Sequence, residues 1–458
     1  MRIAGLMLVL SALAQAGDFH TGQGARAVIG QTSFSGRDTG IRANALSLSS
    51  GKLYAAETNR ILAFDVSNDC TMCGLAPISV VNESVMPGVS AVAVSGKVVV
   101  EVDAAAHRVV IWRSTTPNAG SIGQKQPDVV LSEGIVDPVS VAYDGRRLFV
   151  GDAGQHRVLI WNSLPYRDDQ PADVQLGQAD YLPSAATIGT PSALASDGNN
   201  LYVADMDNRR ILVFSPGDID LSENEILNSA SLLPAPLAPG TLITIRANGA
   251  AAESEAAEPS NTDPLPTQLA GVEVYLNGSA LPLLSVSPDE IQAQLPYDLG
   301  GGTAGSLYFR SQREGGSVLF SSAAPVHFVP ASPGIFAIGK LEPRNGLLLH
   351  ASAEPEPDGG PAKGVPITDD DPAAPGEVVT VWANGLGFQG NEATTPVRAM
   401  LNGEPVEVLS ARLPRGAIGV YEVVIALPAR LANSREARLQ LVQNSLPSNT
   451  VVFPVKTN

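Results

Sequence analysis

Four acidic side chains recur at one position of a repeated pattern and are the most ordered chemical feature of the chain. They are Glu57, Asp103, Asp152 and Asp205. If they converge on one axis, their carboxylate oxygens could hold a hard cation such as Ca²⁺. Alternatively, each carboxylate caps the turn of its own repeat and pairs with an arginine of that repeat. The second interpretation is favoured, because residues that recur with a repeat commonly serve the repeat itself.

An arginine follows each acid at the start of the next apolar stretch, and the four are assigned a structural role in the repeat: Arg60, Arg108, Arg157 and Arg210. His107 and His156 occupy the position just before the arginine in two of the repeats. In an alternative, enzymatic hypothesis the acids would hold a metal ion, and His107 or His156 would act as a general base. That hypothesis describes a metal-dependent lyase or lactonase.

The elements that must position these side chains are pairs of short strands. Each repeat has an apolar strand, an acidic turn, an arginine and a second apolar strand, and the arginines are spaced by 48, 49 and 53 residues. A period near fifty built from short strands predicts a propeller or a solenoid. A second motif, Val28-Ile29-Gly30-Gln31, recurs at 122–124 and 176–178. Its first copy has no strand pair before it, and the last strand pair has no copy after it, so we expect the N-terminal segment to pair with the last repeat.

The repeat resembles the NHL-repeat family, whose core reads LYVAD-x-x-N-x-R-I. Residues 201–211 match this core closely and residues 148–158 nearly so, whereas the two earlier copies depart from it. The resemblance implies an all-β N-terminal part, a β-propeller of about four four-stranded blades that spans residues 17–220.

The second half of the chain contains a duplication. Residues 239–249 align without a gap with residues 375–385, Leu276-Asn277-Gly278 matches Leu401-Asn402-Gly403, and residues 294–296 match 426–428. Alternating strands and Asn-Gly turns predict antiparallel β-sandwiches. We therefore expect two related domains, residues 221–335 and 336–458. The polar stretches 250–264 and 353–375 are predicted to be mobile loops, and Gly300–Ser306 a hairpin turn.

This half resembles a C-terminal domain of unknown function found in secreted acidobacterial proteins. The residues that carry the resemblance are 226–231, 239–240, 264–269, 272–278 and 291–297. It implies immunoglobulin-like modules of the IPT/TIG type and brings no established activity.

Charge and targeting limit the functional classes. The 458 residues carry a formal net charge of −17, which argues against a general nucleic-acid binder. Residues 1–16 have one basic residue, an apolar stretch and Ala14-Gln15-Ala16, the pattern of a secretory signal peptide, and no later run is long and apolar enough to span a bilayer. We expect export to the periplasm or the cell exterior, where Cys70 and Cys73 would form a local disulfide; a redox pair or a metal site is the alternative.

No nucleophile elbow, zinc-protease motif, phosphate loop or dinucleotide fingerprint occurs in the sequence. The leading hypothesis is an exported, non-enzymatic and monomeric binding or adhesion protein that needs no cofactor. Its partner would be a protein or a glycan, met by the rim of the propeller, and the immunoglobulin-like modules would act as spacers. A purely structural component of the cell surface is a further alternative.

Overall fold

The computed structural model describes residues 17–37, 40–49, 52–57, 61–66, 79–81, 91–95, 98–113, 127–177, 184–258, 264–339, 341–351, 359–387, 395–431 and 436–456. The expected signal peptide (1–16), Arg60 and the Cys70–Cys73 pair lie outside these residues. The described elements are strands and four one-turn 3-10 helices, Ala104–Ala106, Ala153–Gln155, Glu223–Glu225 and Glu314–Gly316. The all-β prediction is therefore confirmed.

The N-terminal part begins with strand β1 (Ala27–Ile29) and continues with four antiparallel sheets of four strands. The first sheet is β2 (Ala45–Ser49), β3 (Lys52–Ala56), β4 (Ile61–Asp65) and β5 (Ser79–Val81). The second is β6 (Val92–Ser95), β7 (Val98–Asp103), β8 (Arg108–Arg113) and β9 (Val129–Leu131). The third is β10 (Pro138–Tyr143), β11 (Leu148–Asp152), β12 (Arg157–Trp161) and β13 (Val174–Leu176). The fourth has β14 (Pro191–Ser196), β15 (Leu201–Asp205) and β16 (Arg210–Phe214), and β1 completes it.

The N-terminal strand pairs with the last repeat, as the position of the second motif predicts. Ala27 lies opposite Val213 and Ile29 opposite Ile211 in an antiparallel register. The strand β13 holds the same outermost place in the third sheet, and each of these two strands is followed by a glycine with positive φ, Gly30 at 90° and Gly177 at 94°. Only glycine takes this conformation without strain. In these two copies the motif thus contains the end of an outer strand and the glycine that follows it, and the copy at 122–124 lies outside the described residues.

Apolar side chains join these sheets face to face. One cluster packs Phe149 of the third sheet with Val203 of the fourth, a second joins the fourth sheet to the first, and a third joins the second sheet to the third. The first strands of the sheets follow one another in space, because β6 contacts β10, β10 contacts β14 and β14 contacts β2. The short apolar strands of each repeat are therefore buried between neighbouring sheets.

The middle part has two sheets that share one apolar core. The first sheet contains β17 (Ile226–Asn228), β18 (Leu242–Arg246), β19 (Glu255–Ala256), β22 (Leu283–Val286) and β23 (Glu290–Gln294). The second contains β20 (Val272–Leu276), β21 (Ser279–Ala280), β24 (Ala304–Gln312), β25 (Val318–Phe320) and β26 (Ala324–His327). Residues 295–303 connect β23 of one sheet with β24 of the other, and residues 304–306 begin β24, so the predicted hairpin turn is wrong. The sequence pattern of a turn does not reveal whether the next strand joins the same sheet.

The C-terminal part repeats this arrangement in a continuous sheet of eleven strands around its own core. Its strands are β27 (Gly334–Ile335), β28 (Ala337–Ile338), β29 (Arg344–Gly346), β30 (Leu348–His350), β31 (Val378–Asn384), β32 (Arg398–Leu401), β33 (Glu404–Arg412), β34 (Tyr421–Ala426), β35 (Glu436–Gln443), β36 (Leu446–Pro447) and β37 (Val451–Pro454). The aligned motifs of the two copies pair in the same register: Leu242 lies opposite Gln294, and Val378 opposite Ala426. The internal duplication is thereby confirmed in the strand pairing.

A buried hydrogen-bond network joins the middle part to the C-terminal part. The Asn384 side chain accepts from the Leu242 backbone N–H (3.0 Å) and donates to the Leu242 carbonyl (2.8 Å) and to Asn228 Oδ1 (3.2 Å). Asn228 in turn donates to the Ser332 carbonyl at 3.1 Å. Because these groups are withdrawn from water, every bond that is lost leaves a desolvated partner.

Part of the acidic, proline-rich stretch 353–375 is packed, which contradicts its prediction as a mobile loop. Arg412 donates to the Gly359 and Gly360 carbonyls at 3.0 Å each. In the same region, His350 Nδ1 is bonded to the Glu377 carboxylate, and His350 Nε2 lies 3.1 Å from the Asp371 carbonyl. Ile367 and Ala373 of the same stretch are buried in the C-terminal core, so hydrogen bonds and apolar contacts together hold it.

His350 has acceptors at both ring nitrogens, and only the protonated ring can donate to both. Partial burial by itself lowers the pKa of His350, but the bonds to Glu377 and to the Asp371 carbonyl, together with the two carboxylate charges, raise the pKa above the usual 6.5. The side chain is 20% exposed, so solvent screens part of this effect.

Replacing Asn384 with alanine is expected to lower the free energy of unfolding by about 1–3 kcal/mol, because the buried Leu242 N–H loses its acceptor. Urea denaturation followed by tryptophan fluorescence measures the change. Asn224→Ala, at an exposed position, is the control and should stay within about 0.5 kcal/mol of the native chain. Equal effects of the two substitutions would contradict a joint held by Asn384.

The stabilising effect of His350 is expected to depend on pH. A raised folded-state pKa means that the stabilisation is fully present below the unfolded pKa near 6.5 and is lost as the pH rises through the folded pKa. His350→Gln should therefore be less stable than the native chain at acidic pH, and the difference should shrink at alkaline pH. His327→Gln, at an exposed histidine, is the control in the same urea titrations. If its difference in free energy of unfolding from the native chain depended on pH in the same way, the stabilising role of protonated His350 would be refuted.

Candidate functional site

The recurring acids lie at the ends of second strands, opposite the arginines that begin the third strands. Asp103, Asp152 and Asp205 face Arg108, Arg157 and Arg210 across antiparallel pairs. The ion-pair distances are 2.9, 3.0 and 2.8 Å in that order. This geometry favours the interpretation in which each acid serves its own repeat.

The same carboxylates also fix the segment that leads into the first strand of their own sheet. Asp152 Oδ1 accepts the Asp137 backbone N–H and Asp205 Oδ1 accepts that of Gly189, both at 2.9 Å. Glu57 does likewise in the first sheet, where Oε1 accepts the Arg42 N–H at 2.6 Å. In the first, third and fourth sheets one carboxylate therefore links two strand ends, whereas Asp103 Oδ1 of the second sheet accepts the Ala106 N–H of its own turn at 3.2 Å.

The four acids do not form the ligand ring that the Ca²⁺ hypothesis requires. Within the described ranges, which include all four, there is no group of three or more His, Cys, Asp and Glu placed to hold a metal ion. The physical reason is that each carboxylate is engaged at its own turn. The cation hypothesis thus has no support in the geometry.

The two repeat histidines bridge neighbouring sheets. His107 Nδ1 lies 2.6 Å from the Val136 carbonyl, and His156 Nδ1 lies 3.1 Å from the Gly189 carbonyl. Both residues have left-handed backbone conformations, with φ of 52° and 54°. They occupy equivalent structural positions, which does not support the base role of the enzymatic hypothesis.

The ion pairs differ strongly in burial. The Asp103 and Arg108 side chains are 32% and 44% exposed, whereas Asp205 and Arg210 are fully buried. Burial lowers the pKa of Arg210, and the neighbouring Asp205 carboxylate opposes this. Arg210 also donates to the carbonyls of Phe34, Ser184 (3.0 Å) and Thr187 (2.8 Å). A buried guanidinium tied to so many acceptors holds distant segments together.

A groove of about 280 Å³ opens between the outer strands of the second and third sheets. Leu131, Leu159 and Trp161 are its buried apolar lining, and Arg157 reaches it from β12. Its polar lining is rich in acceptors and comprises Thr21, Glu133, Asp169, Gln170, Asp173 and Gln175. It combines an apolar floor with convergent polar groups, the composition of a ligand-binding site.

One wall of the groove is the loop 162–170, whose backbone is fixed at several points. Trp161 Nε1 donates to the Gln170 carbonyl at 2.8 Å, and the Tyr166 N–H donates to Gln170 Oε1 at 3.1 Å. The loop also covers the edge strand β9, because the Asp169 N–H donates to the Val130 carbonyl (2.9 Å) and Asp168 Oδ1 accepts the Val130 N–H (2.8 Å). These bonds pre-set the shape of the wall.

Asp169 connects this loop to the opposite wall. Its Oδ1 accepts the backbone N–H groups of Ser132 (2.7 Å) and Glu133 (2.9 Å) and the Ser132 hydroxyl (3.0 Å). The Glu133 and Ser132 N–H bonds lower the pKa of Asp169, and slight burial works against them. The carboxylate therefore stays ionised, and acts only as an acceptor, into the acid range.

Tyr166 belongs to the loop 162–170, and 71% of its surface is exposed. Neither Tyr166 nor its loop has a predicted role in the sequence. The sequence contains one sign of a functional loop here, the long connection from the end of β12 at Trp161 to the start of β13 at Val174. The other turns of this repeat are short.

No family model and no curated protein matches the chain. The chain is similar to a Bacteroides ovatus protein of a mixed-linkage glucan utilization locus, SGBP-B, solved with a mixed-linkage heptasaccharide, at 10% identity and a TM-score of 0.22; the match covers 54% of this chain and 51% of that one. It is also similar to the titin immunoglobulin tandem A164–A165, at 8% identity and a TM-score of 0.15, over 49% of this chain and 90% of that one. This chain thus spans about half the length of the Bacteroides protein.

In the part of the chain that the structure describes, no helix has the length and apolar character needed to cross a membrane.

Asp205→Asn is expected to lower the free energy of unfolding by about 3–5 kcal/mol, because it leaves a buried guanidinium without its counter-charge. Asp103→Asn, in the exposed pair of the same motif, should cost less than about 1 kcal/mol. Urea denaturation with and without Ca²⁺ measures the free energy of unfolding of both variants. Equal, Ca²⁺-dependent losses in the two variants would instead revive the cation hypothesis.

Proposed function

We propose that the chain is an exported, non-enzymatic binding protein. In this proposal residues 17–220 form a four-bladed propeller of the NHL type, and residues 221–335 and 336–458 form two immunoglobulin-like modules related to the IPT/TIG type. The succession of four four-stranded sheets, the last completed by β1, supports the propeller. The shared strand pairing of the two copies, each around its own core, supports the modules.

The groove between the second and third sheets carries the functional part of the proposal. Its walls are fixed by backbone hydrogen bonds before any ligand arrives, which lowers the entropic cost of binding. The repeat acids and histidines, by contrast, are engaged in bonds within and between sheets. A preset surface groove suits recognition of a partner, which would be a glycan or a protein.

The two modules act as a rigid support for the N-terminal sheets. The Arg26 guanidinium lies over the rings of Tyr308 and Phe320, at 4.9 and 5.1 Å from their centres, and donates to the Ser321 carbonyl at 3.2 Å. Cation–π contacts of this kind stabilise an interface most when they are desolvated. With the Asn384 network at the next joint, they favour a spacer of fixed geometry over a flexible tether.

Saturable binding to the outer surface of cells tests this function. Fluorescently labelled residues 17–458 should bind intact cells of the organism that makes the chain, and excess unlabelled chain should compete. Labelled serum albumin is the control for adhesion without specificity. Binding that rises linearly with concentration, or that competitor leaves unchanged, would favour a purely structural surface component and reject the proposal.

A further inference from the structure

We propose that the edge of strand β26, in the middle part, binds a short extended peptide of a partner protein. One residue of the peptide would pair with Val326 and place an apolar side chain in the pocket beside this edge. The site is separate from the groove between the second and third sheets and goes beyond the proposed function. It rests on two open backbone groups, an apolar pocket and an acidic rim.

The side of β26 that faces away from β24 is used at both ends of the strand. The Ala323 carbonyl accepts the Gly24 N–H at 2.6 Å, and the His327 carbonyl accepts the Leu237 N–H at 2.8 Å. The N–H and C=O of one residue in an antiparallel strand point to the same side, and alternate residues share that side. The Pro325 carbonyl and the His327 N–H therefore point there too. Within the described residues neither of these two groups has a hydrogen-bond partner.

The bridge made by Leu237 shows how a chain uses such a pair of groups. The Leu237 N–H donates to the His327 carbonyl, and the Leu237 carbonyl accepts the Val329 N–H at 2.9 Å, which gives a parallel bridge with Phe328. A residue placed opposite Val326 would make the same bridge two residues earlier along the edge. An extended peptide supplies the donor and the acceptor that this bridge needs, as in other cases of strand addition.

An apolar pocket of about 210 Å³ lies beside the two open groups. Its buried lining includes Ile226, Leu237 and Val326, which belong to the apolar core of the middle part. Residues directly opposite each other in a sheet project to the same face. The side chain of a residue paired with Val326 would therefore enter this pocket. Its removal from water favours binding if it is apolar, whereas a charged side chain would pay a desolvation penalty.

The walls of the pocket are held in place by the chain itself. Pro234 pairs with Leu227, so the segment before the Leu237 bridge follows another strand and leaves the position opposite Val326 to a ligand. On the facing wall, the Glu225 N–H donates to the Ser222 carbonyl at 3.2 Å, and the Glu225 carboxylate accepts the Ser222 N–H at 2.7 Å. A pocket that is shaped in advance lowers the entropic cost of binding.

The rim of the pocket favours a basic peptide over an acidic one. Glu223 lines the pocket and is exposed, and the Asp220 side chain, three residues earlier, is 66% exposed. The whole chain carries a formal net charge of −17. Charges of one sign attract a partner of the opposite sign and repel one of the same sign. We therefore expect the apolar residue of the peptide to be flanked by lysine or arginine.

Fluorescein-labelled peptides of the sequence Lys-Ser-Thr-Leu-Thr-Ser-Lys test the inference by fluorescence anisotropy with residues 17–458. The single apolar residue fixes which position enters the pocket, and we expect saturable binding. Aspartate in place of leucine should raise Kd about tenfold or more, and so should glutamate in place of both lysines. N-methylation of the leucine removes the N–H directed to the Pro325 carbonyl and should also raise Kd about tenfold or more.

Two variants with matched controls test the same site from the side of the protein. Ala235→Phe, in the pocket lining, should block the pocket and raise Kd of the leucine peptide about tenfold or more. Ala252→Phe, at an exposed turn residue of the same part, should bind like the native chain. Glu223→Gln should raise Kd about threefold at low salt, and the exposed Glu253→Gln should not. Circular dichroism melts check that each variant keeps the fold.

The inference is overturned if the leucine peptide does not bind or if the aspartate peptide binds equally well. It is also overturned if Kd is unchanged by N-methylation, which needs no change in the protein, or by Ala235→Phe in a folded variant. Sedimentation velocity adds one more test: a dimer that Ala235→Phe dissociates would assign the edge to a second copy of the chain and overturn the peptide partner. Saturable cell binding would stand in each of these cases, so this inference can fail without the proposed function.

Discussion

The pairing of β1 with β16 is the constraint on which the rest of the N-terminal part depends. It joins Ala27–Ile29 to the last repeat, almost two hundred residues away, and so completes the fourth sheet and covers its open edge. The segments on either side of β1 are then drawn into other contacts. Arg210 donates to the Phe34 carbonyl, and Arg26 stacks on Tyr308 and Phe320 of the middle part. One short strand thereby completes the fourth sheet and places Arg26 against the middle part.

The same acid and arginine motif has a different physical role in each sheet because its burial differs. The Asp103–Arg108 pair is exposed, where solvent screening makes an ion pair nearly neutral for stability. The Asp205–Arg210 pair is fully buried, where loss of either partner leaves a charge in a medium of low dielectric constant. The repeated acids suggested a cation bound jointly by several sheets. In the structure, each carboxylate instead bonds to groups of its own sheet.

The two copies in the second half show how a duplicated sequence acquires separate roles. In the middle part β21 and β22 are two strands with Pro282 between them, whereas the equivalent β33 is one strand that runs through both halves of its sheet. Asn248 and Asn384 hold matching positions in the aligned motif, yet Asn248 is exposed and Asn384 is fully buried in the joint. The difference is set by what packs against each copy.

The sequence by itself determined the all-β class, the strand pairs of the repeats, the partner of the N-terminal strand and the internal duplication, because these depend on local periodicity and on motifs aligned along the chain. It did not determine that Asp205 is fully buried while Asp103 is 32% exposed, or that part of the stretch 359–375 is packed. Nor did it indicate the groove, whose walls at Thr21, Glu133 and Gln170 meet only in space. Tertiary structure decided these features, because burial and contacts between distant segments depend on how whole sheets pack against each other.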